Sequence, residues 1–492
     1  MLTIKNSNLL KIISSFSENE KKRFAKFVES PFFNNQSTLV RLYKEIIKYY
    51  PDFNEKEISK AKIYQVVNPG KEFCDSVFRK QVSNLSKLAE EFLIHEDNSR
   101  HSDRRITSLL DQYQRRNIYS LYNKLSKEVN RNIENYIITN EAFYYGHFRK
   151  ELDAFSDIRT NNLHEMNESL FNSHKLILLY LLQTSTVYSN MMFVNQKSFE
   201  DPLKGFSLNL FFKEFDILNY LESSYNLTNN EKLFVEICRC DLELLKDPFS
   251  RVWLDKMKNN IFKLSSYLSK NMQYTFFTHL NIFYLINIGE GKTEFNRKLF
   301  ENYKFMIDKG LYISDEREYI NFSEYRSILT IALKLKEFDW VEKYIAGHRN
   351  FHNPEERENI IKYSNAFLNF EKMNFDETLN LLSQIDNDNL IIKLDVHSMY
   401  LISYFEKGYI ESALSLANST AHTLKSNKIL SKEAMSRELK FIKYYKLLVQ
   451  NNTKGADLNK VEIIRDSVSK DGNFRRKKWI LEKFDNLIGR LK

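Results

Sequence analysis

The chain has 492 residues, 42% of them hydrophobic, which is enough to bury a core as one extended array or as two or three compact domains. It contains only 11 glycines and 6 prolines; sheets with many tight turns depend on both, so the composition excludes a turn-rich β architecture and points to an all-α fold. The net charge of +9 invites a nucleic-acid reading, but Lys, Asn, Ile, Phe and Tyr are abundant together, the set that adenine- and thymine-rich codons encode, so basic charge is diagnostic only where it clusters.

The opening, Met1-Leu2-Thr3-Ile4-Lys5-Asn6, lacks the basic start, apolar stretch and cleavage site of a secretory signal. The longest apolar run, 176–182, is seven residues, shorter than a membrane span. These features predict a soluble, cytoplasmic protein with no membrane partner.

Residues 1–95 read as a small N-terminal helical module. Ser17 and Glu20 form a capping box ahead of a helix over 21–29, which Pro31 halts. A second helix is predicted over 36–50, and a third runs from Ser59 to the turn Asn68-Pro69-Gly70. Asp75 caps a long helix over 76–94, with Phe78, Val82, Leu85, Ala89 and Phe92 in one stripe and Arg79, Lys80, Ser83 and Lys87 on the opposite side. The polar stretch 95–105 is the expected boundary. A helical array follows over 106–322, with a breaker-poor segment over 117–148 and a capping box at Thr228 and Glu231.

Residues 323–492 carry a loose repeat. Lys336-Glu337-Phe338-Asp339-Trp340-Val341, Met373-Asn374-Phe375-Asp376-Glu377-Thr378 and Gly408-Tyr409-Ile410-Glu411-Ser412-Ala413 are polar turns between amphipathic patterns, 37 and 35 residues apart. Asn353-Pro354, Ser431 and Asp457 each signal a helix start. Stacked helix pairs of this period form an α-solenoid that leaves a curved surface free to bind.

Three resemblances follow. Tyr404, Gly408 and Ala413 stand at the spacing of the inner-helix aromatic, turn glycine and small packing residue of the tetratricopeptide repeat superfamily, and residues 323–426 resemble it as a whole; the resemblance implies protein or peptide binding in a concave groove. The pattern Phe-Val-Glu-Ser-Pro-Phe-Phe-Asn at 27–34, with Tyr49-Tyr50-Pro51 and Asn68-Pro69-Gly70, is similar to the opening of uncharacterised bacterial helical proteins. The short helix, Pro-Gly turn and longer basic helix also resemble the helix-turn-helix core of a winged-helix domain, which implies that Arg79, Lys80, Ser83 and Lys87 face DNA. No alternating strand pattern follows Phe92 to form the wing, and the plainer reading is a solvated face.

Arg475, Arg476, Lys477 and Lys478, followed by Trp479, form the densest basic cluster. They are candidates for gripping phosphates or an acidic partner, but the preferred reading is the start of a terminal helix that caps the solenoid. Gly289-Glu290-Gly291-Lys292-Thr293 ends like a phosphate-binding loop, yet Ile286 stands where its first Gly belongs, so an inter-helix turn is expected. His348 and His352 lie in a loop pattern without a further ligand, and Cys74, Cys238 and Cys240 match no zinc or redox spacing. No catalytic residue, metal, cofactor or small-molecule substrate is predicted. The expected function is a non-enzymatic scaffold or adaptor that binds a protein through its repeat groove. The alternative is a nucleic-acid-binding transcriptional regulator with an N-terminal helix-turn-helix-like module and a helical-repeat sensor.

Overall fold

The structure is a computed structural model that describes residues 7–50, 59–100, 102–122, 124–125, 163–198, 216–313, 319–385, 390–427, 430–452 and 456–492. It is all-α, with no β-strand among the described residues. It divides into two compact units, Met1–Arg131 and Asn132–Lys492. Most of the predicted 117–148 segment lies outside the described residues.

The first unit contains α1 (Asn8–Ser15), α2 (Glu18–Glu29), α3 (Ser37–Ile46), α4 (Lys60–Val67), α5 (Asp75–Arg100) and α6 (Ser102–Arg115). Both halves of the Ser17/Glu20 capping box form at the start of α2. The core is aromatic. Phe92 of α5 meets Phe16, Phe24 and Phe27 with ring centroids 5.4, 5.2 and 5.5 Å apart, so the α1–α2 junction and α2 converge on one side chain.

Two features differ from the sequence reading. Helix α1, absent from it, is too short for a clear period and is held by Leu9, Leu10 and Ile13, all buried against the module. Helix α5 does not stop near Ile94 but continues to Arg100, through part of the expected boundary. Tertiary contacts explain the extension: Arg23 donates from Nε to Glu96 Oε1 at 3.1 Å and from Nη2 to Oε2, while the His95 ring lies 5.8 Å from those of Phe27 and Phe33.

The second unit begins its described part with α7 (Leu163–Ser198) and α8 (Ile217–Ser224). It continues through α9 (Asn229–Lys246), α10 (Arg251–Leu264), α11 (Lys270–Gly289), α12 (Glu294–Asp308), α13 (Phe322–Lys334), α14 (Phe338–His348), α15 (Arg357–Glu371) and α16 (Phe375–Leu382). It ends with α17 (Leu390–Lys407), α18 (Ile410–Ser426), α19 (Lys432–Asn451), α20 (Leu458–Lys470) and α21 (Lys477–Leu491). From α9 onward each helix packs on the next, and α13 also packs on α15, α15 on α17, and α19 on α21. Within α7, the stretch Leu170–Asn195 is long and apolar enough to cross a membrane by length and composition, a correction to the expectation that no run reaches that length. Its Leu178, Leu179 and Leu182 are buried in the unit's core, and α7 packs against α9, α11 and α19.

The three repeat turns share one backbone motif. Lys336, Met373 and Gly408 have φ of 60°, 66° and 75°. In each turn that residue's N–H and the next one reach back into the preceding helix: Lys336 to Leu333 and Glu337 to Ala332, Met373 to Phe370 and Asn374 to Asn369, Gly408 to Phe405 and Tyr409 to Tyr404. This is the left-handed cap that satisfies the last carbonyls of a helix. Gly291, with φ of 90°, makes the same pair of bonds to Ile288 and, through Lys292, to Asn287, so the Gly-Lys-Thr segment is an inter-helix turn.

A side chain in this conformation costs roughly 1–2 kcal/mol. Met373 is exposed, so Met373→Gly is expected to stabilise the chain by about 1 kcal/mol. A Cβ at Gly408 meets nothing within 4 Å, so Gly408→Ala is expected to lose about 1 kcal/mol through the backbone alone. Equilibrium urea unfolding of the full chain checks both signs.

Candidate functional site

The buried polar chemistry of the second unit converges where the segment between α20 and α21 crosses α15, α17 and α19. Asp395 of α17 is only 5% exposed. Its carboxylate accepts from Arg326 of α13 through both Nε and Nη2, the latter at 2.8 Å. It also accepts from Arg475 Nη1 at 2.7 Å and from the Tyr363 hydroxyl of α15 at 2.8 Å. Arg475 turns its Nε to Glu438 of α19, 2.9 and 2.7 Å from the two oxygens. Two arginines thus meet two carboxylates, and the group is neutral overall.

Burial alone would raise the carboxyl of Asp395; the Arg326 charge and hydrogen bonds, then Arg475 and Tyr363, more than reverse this and hold it well below the usual carboxylate range. Burial would likewise lower the guanidinium of Arg475, but Glu438 and Asp395 outweigh it and raise its pKa.

The pairing continues along the next residues. Arg476 donates from Nη1 to Glu371 of α15 at 2.7 Å and lies over the Phe370 ring, 4.8 Å from its centroid. Trp479 Nε1 donates to Glu406 of α17 at 3.0 Å, and Lys483 donates to the same carboxylate. Phe474 stacks on Tyr444 of α19 at 5.4 Å. Glu371, Asp395, Glu406 and Glu438 therefore form a line of acids on three helices that alternate in sequence, each facing residues of 473–483.

This changes the reading of the basic cluster. Arg475 and Arg476 are paired inside the protein, and Lys477 donates to the carbonyls of Ser469, at 3.0 Å, and Asp471. Only Lys478 of the four is exposed. A run of four cations looks like a surface patch in sequence because their acidic partners lie 37 to 105 positions away. In the first unit, Arg79, Lys80, Ser83 and Lys87 are all exposed on α5, and Arg79 pairs with Asp75 at 2.6 Å.

Three other groupings carry potential chemistry. His279 Nδ1 lies 2.6 Å from Asp241 Oδ2, an orienting pair of the kind used in acid–base catalysis, but the two residues are 5% and 0% exposed and so closed to a substrate. They lie 38 positions apart with no sequence signal. A cleft of about 620 Å³ is lined by Glu222, Leu227, Lys232 and Glu236 among others; both carboxylates pair with Arg239. Around α13 and α14, His352 is 1% exposed, with both ring nitrogens unpartnered, against Tyr325 at 4.4 Å. Burial, then His348 and Arg357, lowers its pKa to about 4, and burial raises nearby Glu324 to about 7.

Cys238 and Cys240 are buried and Cys74 is exposed, all as free thiols. Among the described residues no group of three or more His, Cys, Asp or Glu is placed to hold a metal ion. No protein-family model matches this chain, and no curated protein or solved structure matches it.

Two predictions follow from the charges. Asp395→Asn leaves two half-buried arginines sharing the single carboxylate of Glu438 and is expected to cost about 3–5 kcal/mol at pH 7. Because the folded pKa of Asp395 lies below the unfolded value of about 3.9, its contribution is present above that pH and is lost as the pH falls below it. The acid limb of the unfolding curve should therefore be shallower in the variant. The second concerns His352 and Glu324, whose contributions oppose each other. The folded chain resists protonating His352 between about pH 6.5 and 4, so that residue makes stability rise with pH, by roughly 3 kcal/mol in all. It holds the Glu324 proton up to about pH 7, so that residue makes stability fall with pH. Urea titrations between pH 4 and 7.5 should show an added negative slope in His352→Phe and an added positive slope in Glu324→Gln; slopes of the same sign contradict the assignment.

Proposed function

We propose that the chain is a non-enzymatic intracellular scaffold or adaptor of the cytoplasm, in which the helices from α13 onward stack as a tetratricopeptide-like α-solenoid and hold a protein partner along the first helix of each pair. The observation that carries this reading is the line of Glu371, Asp395, Glu406 and Glu438, interleaved with Phe370 and Tyr444. These buried and half-buried groups already hold residues 474–479 of the same chain, and theirs is the chemistry that holds a protein segment through charge-assisted bonds and ring contacts. The recurring turn at Lys336, Met373 and Gly408 supports the stacked arrangement.

Affinity capture of the tagged full chain from its native lysate, with and without nuclease, tests the proposal. A stoichiometric protein that survives nuclease is the expected result, and Glu371→Gln/Glu438→Gln should weaken its retention at least tenfold. Loss of every protein after nuclease treatment contradicts the adaptor reading.

A second reading, a nucleic-acid-binding regulator, is favoured by one observation: Arg79, Lys80, Ser83 and Lys87 are exposed together on α5. Under it, duplex DNA affinity falls steeply with salt, and replacing Arg79, Lys80 and Lys87 with Ala reduces the slope of log affinity against log salt by about 2–3. An unchanged slope removes α5 from the interface.

A further inference from the structure

Residues 349–356 join α14 to α15, and of these only His352 is buried; those on either side of it are exposed. Its imidazole is 1% exposed and stands edge-on to Tyr325 of α13, ring centroids 4.4 Å apart, so one side chain pins the connection to the ridge of Tyr325 and Tyr344. The rest of the hold is slight. Ile320 N–H donates to the carbonyl of Phe351 at 2.9 Å, and Arg357 Nη2 donates to that of His352 at 3.3 Å. The bonds of Asn353 run to its own neighbours, Glu355, Glu356 and Arg357. Neither nitrogen of the pinning ring has a hydrogen-bond partner. A neutral ring forfeits its water there, but a protonated ring brings a charge and two N–H donors that the site does not satisfy. The groups around it add to the penalty. His348 of α14 and Arg357 of α15 are basic and oppose a charge on the ring. Glu324 of α13 acts on Tyr344 and keeps its own proton up to about pH 7, while Arg349 and Glu358 pair with each other on the surface.

We propose that His352 is a proton-released pin: acid drives its ring out of the ridge, and the connection 349–356 swings away and uncovers Tyr325 while the helices on both sides stay folded. This device is independent of what the helical array binds. Its direction follows from linkage. Above the ordinary imidazole pKa of about 6.5 the ring is neutral whether held or released, so the closed connection is fully stable there. Below that, the released ring takes a proton and the buried ring does not, until about pH 4. Between pH 7.5 and 4.5 the open population therefore rises roughly 70-fold. The opening is local because the connection has a single buried side chain and few bonds to the rest of the unit, whereas α13 and α15 keep their own cores.

Hydrogen exchange on the full chain tests this, because the Ile320 amide is bonded to Phe351 and reports the connection directly. Its protection factor, corrected for the intrinsic pH dependence of exchange, should fall roughly 70-fold from pH 7.5 to 4.5. At each pH it should also lie at least tenfold below the protection at the centre of α15. The fall should shrink below about threefold in His352→Phe and persist in Glu324→Gln. Protection at Ile320 that does not change with pH overturns the proposal. So does protection equal to that of α15, since the ring would then leave only when the whole unit unfolds. A fall of the same size in His352→Phe, or its loss in Glu324→Gln, assigns the response to another group and also overturns it. Should His352→Phe fail to fold, His352→Gln takes its place, removing the titration while keeping a polar side chain, with the same loss expected.

Discussion

A carboxylate placed deep among helices has to be neutralised, and in this protein the neutralising charges come from both ends of a long stretch of chain. Asp395 binds Arg326, 69 positions before it, and Arg475, 80 positions after it. Loss of either arginine leaves the buried Asp395 with one cation in place of two, and taking away a partner of a buried ion costs more than the net worth of the pair itself. The positions of α13, α17 and the α20–α21 connection are therefore tied together by one side chain. Tyr363 adds a fourth bond from α15, so α13, α15 and α17 share a single hub. Ion pairs are directional, and this hub specifies how the helices register where apolar contact alone would tolerate sliding.

The two basic stretches show how little a run of cations says by itself. On α5 the opposite face buries Phe78, Leu85 and Phe92, so the periodicity forces Arg79, Lys80 and Lys87 outward. Residues 475–478 are also basic and denser in charge, yet Arg475 and Arg476, in the α20–α21 connection, and Lys477, at the start of α21, turn to carboxylates and carbonyls of the same chain. The first arrangement follows from the helix that bears it. The second follows from what lies opposite.

Aromatic side chains carry much of the remaining core. Phe92 gathers the α1–α2 junction, α2 and α5 in the first unit, and in the second unit Tyr325, Tyr344 and Trp340 form a stacked ridge with centroids 5.1 and 5.0 Å apart. Tyr325 and Tyr344, buried there, titrate above their ordinary range because burial disfavours the phenolate, which keeps both rings neutral. His352 packs edge-on to this ridge as a neutral ring.

Local chemistry was legible in the sequence. Scarce Gly and Pro, capping boxes at Ser17 and Thr228, and the stripe on α5 are set within one or two helical turns, so composition and periodicity reveal the all-α class, most of the helix starts read from the caps and the exposed basic face. The turns at Lys336, Met373 and Gly408 were legible for the same reason, although only Gly408 shows its left-handed backbone in its residue type. Helix α1, the extension of α5 and the pairing of Arg475 and Arg476 were not, because each depends on groups tens of residues away whose approach no local pattern encodes. The sequence by itself determined which segments are helical and which face each must bury, since those follow from side-chain polarity at a fixed period. Only the tertiary structure decided which charges meet, because a carboxylate and a guanidinium find each other through space, and there the densest basic cluster faces the chain's own acids.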